Sequence, residues 1–93
     1  MLAEVHCDNF PVAAIPALAE ELRGYGAQVD FLDDRSGFCS HSAGLMQFEH
    51  TEGVLIIRVL KSRDHFPRLL IIGGIRQTVQ EAGERFRQKV QAA

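Results

Sequence analysis

The chain has 93 residues, with 10 Lys and Arg against 12 Asp and Glu, 46% hydrophobic and 24% charged residues, two Cys and no Trp. That is the composition of one ordinary globular domain over residues 1 to 93, large enough to fold without disulfides or a structural metal and too short for two domains or most complete enzyme folds. No apolar run approaches the ~20 residues that cross a bilayer, and residues 1 to 9 lack the basic start and long apolar stretch of a secretory signal. A cytoplasmic protein with no membrane partner is therefore expected. Cys7 and Cys39 match no zinc or thioredoxin spacing, and reduced small apolar side chains are the expected state, with a disulfide left open.

The net charge of −2 argues against nucleic acid held by phosphate neutralisation, which needs a concentrated basic face. The charge is unevenly placed. Residues 1 to 46 carry seven acids against two bases, net −5, and residues 47 to 93 carry eight bases against five acids, net +3. Within one domain this asymmetry draws the two halves together, or draws a second copy.

Ala3, Val5 and Cys7 alternate with Glu4 and His6, the pattern of a half-buried strand that ends at the Asp8–Asn9 turn signal. Val12, Ile15, Leu18, Ala19 and Leu22 then fall at helical spacing, with Gly24 and Gly26 as stop signals. Pro16 must lie in the first turn of that helix, which begins between Val12 and Pro16. Ala27, Val29 and Phe31 alternate as a second strand, ending at the turn chemistry of residues 33 to 37.

Phe38 to Ser42 reads as a short strand, Ala43 and Gly44 as a tight turn or bulge, and Leu45 to Thr51 as another strand. Glu52 and Gly53 close a two-residue hairpin loop into a last strand, Val54 to Lys61. Pairing Thr51 with Val54 sets Met46, Phe48 and His50 opposite Val59, Ile57 and Leu55 on one face. Val54, Ile56 and Leu60 point the other way, so the last strand is apolar on both faces and belongs in the sheet interior. Ser62 and Asp64 can cap a closing helix, whose stripe runs through Phe66, Leu69, Ile72, Ile75, Val79 and Phe86. Gly73, Gly74 and Gly83 inside it predict a kink, a break or close helix packing, and the last few residues are expected to fray.

The predicted fold is α+β, a two-layer sandwich in the order β-α-β-β-β-β-α with a mostly antiparallel sheet and two helices on one face. Strand order 1-5-4-3-2 makes the last strand interior; the alternative sets strand 1 beside strand 2 through a right-handed crossover. Either way one sheet face stays uncovered, carrying Val54, Ile56 and Leu60 beside Gln47, Glu49 and Arg58, and such a face suits self-association.

The order of signals resembles a family of small bacterial proteins of unknown function, some of which are found beside siderophore-interacting flavoproteins. The likeness spans most of residues 2 to 83. It rests on Gly37 and Phe38, on Gly44 with Met46 and Phe48, on Glu52 and Gly53 leading into Leu55, Ile57 and Val59, and on Asp64 opening a helix. The chain departs from it in the last helix, having Gly73, Gly74, Ile75 and Arg76 where the family has a His, Leu, Arg, Phe cluster. The resemblance implies the fold and assigns no active residue or cofactor.

Three functional readings follow, and they favour binding or assembly over catalysis. The first is a dimer through the open face at Val54, Ile56 and Leu60. The second is a small-molecule site between sheet and long helix, lined by Phe31, Met46, Phe48, Ile57 and Phe66, holding an apolar or anionic metabolite with Arg58 or Arg63 at its mouth. The third uses Cys39 and His41, which share a strand face and in one register oppose Phe48 and Met46, together with His50 as zinc ligands or as a nucleophile and base. Two further patterns compete with solvated or helical readings: a basic patch of Arg58, Lys61, Arg63 and Arg68, and an anion-cradling turn at Gly73, Gly74, Arg76 and Thr78.

Overall fold

The structure is a computed structural model that describes residues 3–42, 44–62 and 68–92. Apolar residues at every second position give β1 (Ala3–Cys7), β2 (Gln28–Phe31), β3 (Ser36–His41), β4 (Gly44–Thr51) and β5 (Val54–Ser62), and the two helical stripes give α1 (Ile15–Gly24) and α2 (Arg68–Ala92). A single 3-10 turn, Val12–Ala14, leads into α1, and Pro16 occupies the second helical position, where its missing N–H costs nothing. The strands form one antiparallel sheet in the order β1-β5-β4-β3-β2. The fold is the α+β arrangement predicted, with β5 interior.

One face of the sheet is the core face. Val5, Cys39, Phe48, Leu55, Ile57 and Val59 are buried on it, and Ile15, Leu18 and Ala19 of α1 and Ile75, Val79 and Ala82 of α2 join them in one apolar cluster. Both helices therefore cover the same face. Burying such side chains stabilises by roughly 1.5–3 kcal/mol each, which is why the alternation decides the fold.

α1 stops at Gly26, whose φ of 88° is open to glycine at no cost. The N–H of Gly26 bonds Arg23 O at 3.0 Å and that of Ala27 bonds Leu22 O at 3.1 Å, closing the helix end in a Schellman motif. Three of the ion pairs join acids of the first half of the chain to bases of the second: Glu21–Arg85 at 2.8 Å, Glu20–Lys89 at 3.9 Å and Glu4–Arg58 at 2.9 Å. Glu21 carries the weight among them, because its side chain is only 6% exposed and Arg85 supplies the charge that lets it be buried between the helices.

α2 runs unbroken from Arg68 through both Gly73 and Gly74, so the expected kink or break is not found. Nothing lies within 4 Å of a Cβ built at either glycine, so close packing does not account for them.

The β4–β5 hairpin has the predicted register, Thr51↔Val54 through Met46↔Val59. Its two loop residues both have positive φ, 50° at Glu52 and 81° at Gly53, the backbone of a type I′ turn. We expect Gly53→Val to lower unfolding free energy by about 1–3 kcal/mol and Glu52→Asn to raise it by about 1 kcal/mol, both read from urea denaturation. Equal stability of the two variants would refute this account of the turn.

Candidate functional site

Between the core face of the sheet and the two helices lies a cavity of about 590 Å³. Leu18 and Leu22 of α1 and Ile71, Ile75 and Val79 of α2 wall it on the helical side, and Cys39, Met46, Phe48, Ile57 and Val59 wall it on the sheet side. The space arises where small residues meet: Ala27 after α1, Cys39 on β3, Gly44 on β4 and Gly74 on α2 all line it. Gly44 is required here, since a Cβ at that position would overlap the carbonyl oxygen of Lys61 on β5. The same spot holds a bulge, in which Met46 pairs with Val59 but Leu45 pairs with Lys61, leaving Leu60 as the extra residue.

The polar lining is collected at one end. His41, Gly44 and Ser62 lie in one row of strand pairing, Lys61 is next to it, and Tyr25 is brought there by the Schellman turn. The Nε2–H of His41 donates to the Tyr25 carbonyl oxygen at 2.9 Å, tying the end of α1 to the end of β3. Thr78, on α2, donates its hydroxyl to Gly74 O at 2.8 Å. No Asp or Glu is found among the described residues that line the cavity.

Cys39 is 1% exposed, and burial pushes its thiol above the ordinary value, so it presents a neutral S–H and not a thiolate to the cavity. Cys7 is likewise pushed up by burial, which outweighs the opposing pull of Arg76 and the further push of Asp8.

Of the residues expected to bind a ligand, Met46, Phe48 and Ile57 line the cavity. Phe31 does not: it is 42% exposed and meets the Phe48 ring edge-on at 5.7 Å. Arg58 lies on the opposite face, where its guanidinium bonds Glu4 Oε1 and Glu49 Oε1, each at 2.9 Å. Arg63 and Phe66 lie outside the described residues. Lys61 lies beyond the bulge and pairs with Leu45, the neighbour of the cavity-facing Met46, so its side chain is on the same side of the sheet as Arg58.

Cys39 pairs with Met46 and His41 with Gly44, a register two residues away from the one that would set them opposite Phe48 and Met46. His50 is at the other end of the core face, 9% exposed, its Nε2–H donating to the Phe10 carbonyl at 2.6 Å. Among the described residues its Nδ1 has no partner. The three are thus separated, and no group of three His, Cys, Asp or Glu able to hold a metal occurs among the described residues. Gly73, Gly74, Arg76 and Thr78 are interior to α2, so no anion-binding helix start is formed there.

No family model matches the chain, and no curated protein or solved structure matches it at significant similarity. No helix among the described residues is long and apolar enough to cross a membrane.

In a Cys7→Ser background at pH 8, Cys39 should react with a polar thiol reagent at least ~10-fold more slowly than the same protein in denaturant. Reaction at the denatured rate would show that its thiol is neither buried nor raised.

Proposed function

We propose that the chain binds a small, largely apolar molecule between its sheet and its helices. The observation that carries this reading is the cavity of about 590 Å³ with apolar side chains on all of its walls. Ligand pockets occupy roughly 300–1,000 Å³, whereas packed interiors keep few voids larger than a water molecule. The space is open to solvent on one side, and an apolar guest would remove its apolar walls from water. Cys39 faces it as a neutral thiol, and the Nε2–H of His41 is taken up by the Tyr25 carbonyl, so the groups facing it suit an apolar guest. The resemblance to the small bacterial family supports the architecture and names no ligand.

Gly74 lines the cavity from α2 with open space where its side chain would be. Decanol should raise the melting temperature of the wild type by several degrees through preferential binding to the folded state. Gly74→Leu should itself raise stability by about 1 kcal/mol through helix propensity and lose the decanol response by filling the space. No response of the wild type to decanol or to a panel of apolar compounds would overturn the reading.

A second reading, self-association, is supported by the uncovered sheet face. Val54, Ile56 and Leu60 are half-buried there, with Phe38 and Leu45 on the neighbouring strands, and the Glu4–Arg58–Glu49 ion pairs lie among them. Light scattering on eluted protein should give a dimer, and Ile56→Asp a folded monomer. A monodisperse monomer whose Ile56→Asp variant is equally soluble would eliminate this reading.

A further inference from the structure

We infer that the flank of α2 beside β1 is a docking site for an extended acidic peptide segment of another protein, held at two of its carboxylates by Arg76 and Arg87. A second groove, of about 500 Å³, runs there between α2 and the chain that leaves β1. Arg76, Gln80, Gly83 and Arg87 line it from the helix. Their offsets of four, seven and eleven residues place them in one row, while Arg85, on the far side of the helix, serves the Glu21 carboxylate. Cys7, Asp8 and Asn9 line the opposite bank, and Phe10 meets the helix at Gly83, where a Cβ would stand 4.0 Å from its ring.

The first support is uncommitted charge. Arg76 and Arg87 make no ion pair with a described residue, whereas Arg58, Arg85 and Lys89 each have a carboxylate partner. Among the described residues that line the groove Asp8 is the one acid, and it pairs with neither arginine. The groove therefore holds two cations to one anion in a chain whose net charge is −2. Burial pushes the Cys7 thiol up and Arg76 opposes that push, which sets the Arg76 charge near the end of β1. A guanidinium with free N–H groups takes a carboxylate in a two-point pair.

The second support is spacing. Eleven helical residues separate the two arginines, a rise on the order of 16 Å. A compact anion reaches one of them. An extended peptide covers that rise with about five residues, and its first and fifth side chains point the same way. The third support is the setting. β1 is an edge of the sheet, with β5 as its strand partner on one side, so an extended segment can run beside it. Between the arginines, Asn9 and Gln80 offer side-chain amides, which match the donors and acceptors of a peptide backbone.

The probe is the acetylated and amidated pentapeptide Glu-Thr-Thr-Thr-Glu, titrated into the full chain and followed by NMR. Both arginines are exposed, so Arg76→Gln and Arg87→Gln should fold as the wild type does. Each should weaken binding about tenfold, the worth of one charge-assisted hydrogen bond. When one Glu of the peptide is exchanged for Gln, one of the two variants should lose its effect. Lys89→Gln, which removes a cation of the same helix that pairs with Glu20, should leave the affinity unchanged. Equal affinity for a peptide with both Glu exchanged for Gln would overturn the assignment, as would a loss with Lys89→Gln as large as with Arg76→Gln. Absence of peptide binding would do the same, and tighter binding of tripolyphosphate would give the groove to compact phosphates instead.

Discussion

The type I′ turn at Glu52 and Gly53 is the constraint on which the other features depend. Because side chains alternate strictly along a strand, a slip of one residue at that turn would exchange the two faces of β4 and β5 together. With Thr51 opposite Val54, Phe48 meets Ile57 and His50 meets Leu55 on the helical side, while Glu49 and Arg58 meet on the other. The cavity and the open apolar face are then the two sides of a single pairing choice. Neither could be altered by changing the hairpin register without destroying the other.

The helices determine what the core face encloses. α1 is stopped sharply at Gly26, which turns the Tyr25 carbonyl toward His41 and fixes the end of the helix over β3. α2 is held against α1 by the buried carboxylate of Glu21 reaching Arg85. Between these fixed points the small residues Gly74 of α2, Ala27 after α1, Cys39 of β3 and Gly44 of β4 line the space. At the other end, Phe10, Ile15 and Leu55 interlock and the space is filled.

Much of this architecture is legible in the amino-acid order, because strand faces, turn residues and helix stops are local signals. The β4–β5 register followed from a two-residue loop with an evident glycine, and the interior place of β5 followed from its two apolar faces. The β3–β4 register is less legible: Ala43 and Gly44 read as a tight turn or bulge, and Gly44 is the first residue of β4, beside a bulge, owing its identity to the approach of Lys61 from β5. That contact is nonlocal. The same limit applies to His50, whose partner is a carbonyl forty residues earlier, and to the glycines of α2, which leave room where crowding was expected.

The pairing of β1 with β5 also orders events during synthesis. Ala3 and Val5 leave the ribosome more than fifty residues before their partners Val59 and Ile57. Until then the β2–β3–β4 meander can form from neighbours, but β1 has no strand to join and its apolar residues stay uncovered. Translation proceeds at about 5–20 residues per second, so that interval lasts seconds, long compared with hairpin formation. The nascent chain thus carries β1 unpaired until β5 emerges, and β1 docks late, onto strands that have already paired with their neighbours.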